Sequence, residues 1–119
     1  MSRRTERVSE QLRAELARLL REEVSDPRIG LVTLTRVDLA PDFGNANVFW
    51  SALPTKGDPD DREERTQEGL ARAASFLRRR LAEELPLRRV PELRFRHDPS
   101  LALGSDVLGL LREIRDDET

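Results

Sequence analysis

LRRVPELRFRHDPS, residues 87–100, decides how the rest of the chain is read. From Glu92 the side chains alternate. Leu93 and Phe95 fall on one side of an extended chain, Arg94 and Arg96 on the other. That is a strand with one face in a core and one in water. Pro86 and Pro91 stand just before it, and neither can continue a helix, so the preceding element must stop by residue 85. In that element Leu70, Ala74, Leu77, Leu81 and Leu85 recur at spacings of three and four, which predicts a long helix over residues 61–85.

Further upstream, LVTLTRVDL (residues 31–39) is rich in the Val, Leu and Thr of strands. After the turn signal APDFGN comes ANVFWSAL (residues 46–53), where Ala46, Val48, Trp50 and Ala52 share a face. The two read as an antiparallel hairpin, with Trp50 a core or sheet-face residue. Residues 3–24 carry Val8, Leu12, Leu16, Leu19, Leu20 and Val24 at helical spacing, an amphipathic helix whose outer face mixes Arg and Glu at i, i+3 and i+4. SDPRIG (residues 25–30) breaks the chain after it. Residues 55–61 read as an acidic surface loop, a last short helix is expected around Val107, Leu108, Leu110, Leu111 and Ile114, and residues 116–119 form an acidic, flexible tail.

The order helix, strand, strand, helix, strand, short helix predicts an α+β fold, a three-stranded sheet with helices on one face. At 119 residues, one domain over residues 1–119 is expected. Only five residues are aromatic and 37% are charged, so the core must be built largely of Leu, Val and Ala. There is no cysteine, hence no disulfide framework or thiolate metal site. The first residues lack the apolar stretch of a secretory signal, and no run approaches the ~18 apolar residues of a membrane span. A cytoplasmic monomer that needs no membrane is expected.

The formal net charge of −2 hides a segregation. Residues 78–96 hold seven arginines against three glutamates, a local +4, whereas residues 58–68 and 97–119 are each at −4. With a Debye length of about 8–10 Å, a phosphate responds to the nearby patch more than to the distant acids. Arg78, Arg79 and Arg80, in one helical turn, with Arg88 and Arg89 before the strand, form a candidate phosphate-binding cluster, and Arg72 lies two turns earlier. Arg3, Arg4 and Arg7 have only Glu6 beside them and join the candidates. Three successive helix positions spread over about 200°, so not all of Arg78–Arg80 can face one ligand, and one should run along the core edge. Catalysis finds no support. His97 is the single histidine and reads as a strand-end residue, the acidic loop lacks the spacing of a calcium site, and there is no glycine-rich phosphate loop. No metal or cofactor is expected.

Taken together, RVSEQLRAELARLL with DPRI, VTLTRVDLAPDFGNANVFWS, AASFLRRRL and LRRVPELRFRHDPS resemble the ribosome-binding factor A family, nearly end to end. The resemblance implies a KH-like fold of the second topological type, with a kink in the second helix. The aligned residues are Ala73, Ala74 and Ser75, with Ser75 where the family usually has glycine. It further implies a non-catalytic factor that binds the immature small ribosomal subunit and its ribosomal RNA, assists late maturation and 5′-end processing, takes part in cold adaptation, and works with an assembly GTPase. Two other readings compete: a protein-interaction adapter using the acidic and arginine-rich surfaces, and a free-standing binder of single-stranded RNA.

Overall fold

The structure, a computed structural model, describes residues 3–52 and 60–99. The expected C-terminal helix, the acidic tail and, apart from Asp60 and Asp61, the acidic loop lie outside them. The described chain forms α1 (Arg3–Glu22), β1 (Thr33–Leu39), β2 (Asn45–Ser51), α2 (Arg62–Glu84) and β3 (Glu92–His97), in the order expected. The sheet order is β1-β2-β3, antiparallel between β1 and β2 and parallel between β2 and β3. A parallel neighbour needs a crossover, and α2 supplies it.

Both helices cover the same face of the sheet. Leu12, Leu16 and Leu19 of α1 and Leu70, Leu77 and Leu81 of α2 are completely buried against Leu34, Val37, Leu39, Ala46, Val48, Trp50, Leu93 and Phe95. Each such leucine contributes about 1.5–3 kcal/mol over leaving it in water. Trp50 also needs a polar partner. Its indole N–H donates to Gln67 Oε1 at 2.7 Å, and Gln67 Nε2 donates to the Phe95 carbonyl at 2.7 Å. One α2 glutamine thus ties the central strand to β3.

Buried positions on β1 do not alternate strictly: Leu34 is followed by Val37 and Leu39. The cause is a bulge. Leu34 pairs with Trp50 and Arg36 with Phe49, leaving Thr35 as the extra residue. Its hydroxyl donates to Asp98 Oδ2 at 2.7 Å, which fixes the bulge from the end of β3.

The break after α1 is a built turn. Asp26 accepts from the Arg28 backbone N–H at 2.9 Å and pairs with the Arg28 guanidinium at 2.6 Å, and Gly30 takes a positive φ of 57°. The Arg28 hydrogen bonds hold the Asp26 carboxyl down to about 2. Ile29 then packs on α2 at Gly69, and Thr66 Oγ1 donates to the Arg28 carbonyl at 3.0 Å. α2 is one continuous helix through Ala73, Ala74 and Ser75, with Ser75 exposed. Any bend at these residues leaves the helix unbroken.

Candidate nucleic-acid interface

The arginine triplet splits three ways, as 100° steps around α2 require. Arg78 turns back along the core edge, donating from Nε to the Pro91 carbonyl and from Nη2 to the Val90 carbonyl, both at 3.1 Å. It splints the connection into β3. Arg80 is held by Glu23 at 2.9 Å, by Glu84 at 2.8 Å and by Glu83. Those carboxylates, Glu23 foremost, raise its pKa, and Arg80 in turn holds the Glu23 carboxyl below its usual range. Arg80 therefore clasps α2 to the end of α1. Arg79 alone points outward, and among the described residues it makes no ion pair or side-chain hydrogen bond. Seven-residue spacing puts it on one stripe with Arg72 and Arg65, and Arg72 is loosely paired with Glu68 at 3.4 Å.

A second group forms where three segments meet. The first turns of α1, the β1–β2 turn and the chain after α2 enclose a cleft of about 620 Å3, lined by Arg4, Val8, Gln11, Pro41, Asp42, Phe43, Pro86, Leu87, Arg88 and Arg89. The guanidinium of Arg4 lies 5.5 Å from the centre of the Phe43 ring. Phe43 adopts a positive φ of 62°. A non-glycine residue rarely does so. The turn is closed by Phe43 N–H donating to the Ala40 carbonyl and by Gly44 N–H donating to Asp42 Oδ1, each at 2.9 Å. Arg88 and Arg89 are exposed and, among the described residues, unpaired. Among the described residues Asp42 is the one acid lining the cleft, against three arginines. Arg3 and Arg7, one turn apart on α1 and next in sequence to the cleft residues Arg4 and Val8, are likewise exposed without a described partner.

Of the nine arginines singled out in the sequence, the structure thus gathers Arg4, Arg88 and Arg89 in one cleft with Arg3 and Arg7 beside them. Arg72 and Arg79 sit on the outer stripe of α2, and Arg78 and Arg80 are tied up in the fold. Phe43 and Arg65 were missed. The seven-residue spacing of Arg65 to Arg72 was visible, but the positive φ at Phe43 was not. Chemically the cleft offers fixed positive charge and one aromatic face, a combination suited to phosphates and bases. His97 packs against Trp50 with ring centres 4.7 Å apart and the rings tilted by 59°, and its Nδ1 lies 3.0 Å from Glu63 Oε1. No cluster of three metal-ligating side chains occurs among the described residues.

A mixed three-stranded sheet with two helices on one face and a basic cleft at its edge defines a small KH-like α+β domain. The ribosome-binding factor A family model matches residues 4–111. A ribosome-binding factor A from Marinomonas sp. is 47% identical over 117 residues, covering 98% of this chain and 90% of its own. One from Desulfitobacterium hafniense is 40% identical over 115 residues, covering 97% and 89%. The crystal structure of ribosome-binding factor A from Thermus thermophilus superposes with a TM-score of 0.67 at 28% identity, over 78% of this chain and 93% of that one. A homology model of the Thermus thermophilus factor, fitted into the cryo-electron-microscopy map of its 30S complex, superposes with a TM-score of 0.61 at 25% identity, covering 80% and 96%. The chain belongs to the ribosome-binding factor A family, which is non-catalytic.

Proposed function

We propose that this protein binds the immature small ribosomal subunit through its ribosomal RNA, using the cleft of Arg4, Arg88 and Arg89 as the main phosphate contact. One observation carries the reading: three cations from segments far apart in the chain line one cleft with Phe43, and none of them forms an ion pair among the described residues. Like charges lining one cleft repel one another, a cost that an arriving phosphate lowers. The fitted 30S complex of the Thermus thermophilus relative supports the same partner.

Arg3 and Arg7 extend the contact along α1, and Arg79 and Arg72 offer a second one on α2. Folded RNA is met through phosphates, 2′-hydroxyls and shape, so the protein reads architecture more than base sequence. It assists maturation by binding one RNA conformation better than others, and it leaves when that conformation is lost. Within this reading it acts as a cytoplasmic monomer in late maturation and 5′-end processing, and an assembly GTPase aids its release. Ser75 lets α2 bend toward the RNA, since a serine hydroxyl can bond back to a helix carbonyl. The adapter reading is less well served, because Arg78 and Arg80 are already committed within the fold.

Co-sedimentation with isolated small subunits, large subunits and assembled ribosomes tests the proposal. Selective association with small subunits is expected. Association with none, or with all three alike, would overturn it.

A further inference from the structure

The sheet face turned away from the helices carries an arrangement that the cleft does not use. Register places Arg36, Phe49 and Arg96 in one row across the three strands, and Asp38, Asn47 and Arg94 in the next. The alternate residues Val48 and Phe95 are buried beneath the helices, so these rows line the open side. The bulge at Thr35 makes the first row possible. Without the extra residue Thr35 would oppose Phe49, and Arg36 would turn toward the core. Instead the Arg36 guanidinium lies 4.3 Å from the centre of the Phe49 ring, and Thr35 is pinned by its hydrogen bond to Asp98.

The remaining polar groups on this face are weakly engaged. Arg96 Nε reaches Asn47 Oδ1 at 3.5 Å, Arg36 meets Asp38 at 3.2 Å, and Arg94 is 3.9 Å from Glu92. Exposed pairs of this kind contribute little and exchange readily for a phosphate. Among the described residues three arginines share this face with two carboxylates, Asp38 and Glu92, and Asp98 accepts from Thr35.

We propose that this open face is a second RNA contact, specific for unpaired nucleotides. A base stacks on the Arg36–Phe49 platform, the Asn47 amide bonds to its edge, and Arg94 and Arg96 hold the flanking phosphates. A duplex buries the faces of its bases in its own stack, whereas a single strand can lay them on an aromatic ring and a guanidinium plane. The inference rests on the reading of the chain as an RNA binder but shares no residue with the Arg4–Arg88–Arg89 cleft.

Fluorescence anisotropy with a labelled eight-nucleotide single-stranded RNA and with an RNA duplex tests it. Phe49→Leu keeps apolar bulk but removes the ring, and Phe49→Ala and an Arg36→Gln/Arg96→Gln pair complete the set. Urea midpoints confirm that each variant folds. Single-strand affinity is expected to fall about 5- to 140-fold in Phe49→Ala, the range for losing one stacked base, and to fall in Phe49→Leu as well. Duplex affinity should change little in the Phe49 variants, whereas Arg88→Gln/Arg89→Gln should weaken single strand and duplex alike. If folded sheet-face variants bind the single strand as wild type does, or if only the Arg88/Arg89 variant loses it, the open face is not a site. Absence of oligonucleotide binding alongside intact small-subunit association would overturn this inference and leave the proposed function standing. The reverse pattern would do the opposite.

Discussion

Gly69→Ala sets two known effects against each other at the point where α2 crosses the 25–30 turn. Alanine in place of glycine within a helix stabilises by about 1 kcal/mol. Here, however, the new Cβ would stand 2.9 Å from Ile29 Cγ1 and 3.3 Å from Arg28 Cβ. Carbon atoms pack best at about 3.5–4.0 Å, so the Ile29 contact is too short by roughly 0.6–1 Å. Neither neighbour is the far end of a flexible chain, and overpacking of this kind costs about 1–3 kcal/mol. The clash should win, with Gly69→Ala net destabilising by about 1 kcal/mol. Removing the obstacle should reverse the outcome. In an Ile29→Ala background the same substitution should become neutral or stabilising, a coupling of about 1–2 kcal/mol. Ile29→Ala itself costs about 2–5 kcal/mol, so the cycle is best run by urea unfolding near 15 °C, about where such domains are most stable. Unchanged m-values would show that only stability has moved. A Gly69→Ala protein stabilised by the full helix-propensity gain, with no coupling to Ile29, would refute the close approach of α2 to the turn.

Other outcomes follow from single contacts. Gln67→Leu leaves the Trp50 indole N–H and the Phe95 carbonyl without their partner, and should cost about 1–3 kcal/mol by urea unfolding; unchanged stability would contradict the bridge. Asp26 is held at about 2 against an ordinary 3.8, so the unfolded chain takes up its proton first as pH falls. Its stabilisation is complete above pH ~4 and drains away between pH ~4 and ~2, and Asp26→Asn should flatten that decline in stability measured against pH. At Ser75, glycine should be tolerated in small-subunit binding and valine should impair it, and equal binding of wild type and Ser75→Val would argue against α2 bending at the contact.

Much of the fold was legible because one-sided burial writes itself into a period. Leu93 and Phe95 against Arg94 and Arg96 gave β3, and the leucine stripe gave α2 almost to the residue. Trp50 was placed in the core, where the structure has it. What escaped was set by contacts distant in the chain. The bulge at Thr35 interrupts the period of β1 and is held by Asp98, while the importance of Gly69 exists only because Ile29 lands on it. The same holds for the site. A basic cluster was visible, and the sequence rule that three successive helix positions diverge was sound. Which arginine would be consumed depended on Glu23 and on the carbonyls of Val90 and Pro91, none of which a helical wheel of α2 contains. The gathering of Arg4 with Arg88 and Arg89 likewise needed the turn at Phe43 between them.

The most direct test of the central claim is the salt dependence of binding to small ribosomal subunits, compared for wild type, Arg4→Gln/Arg88→Gln/Arg89→Gln and Arg80→Gln. If the cleft arginines hold phosphates, the slope of log affinity against log salt should fall by about 0.7–0.9 for each one lost. Arg80→Gln should lower the urea midpoint and leave the slope alone, because its guanidinium is already spent on Glu23, Glu83 and Glu84. A triple variant with the wild-type slope would mean that the cleft does not meet RNA.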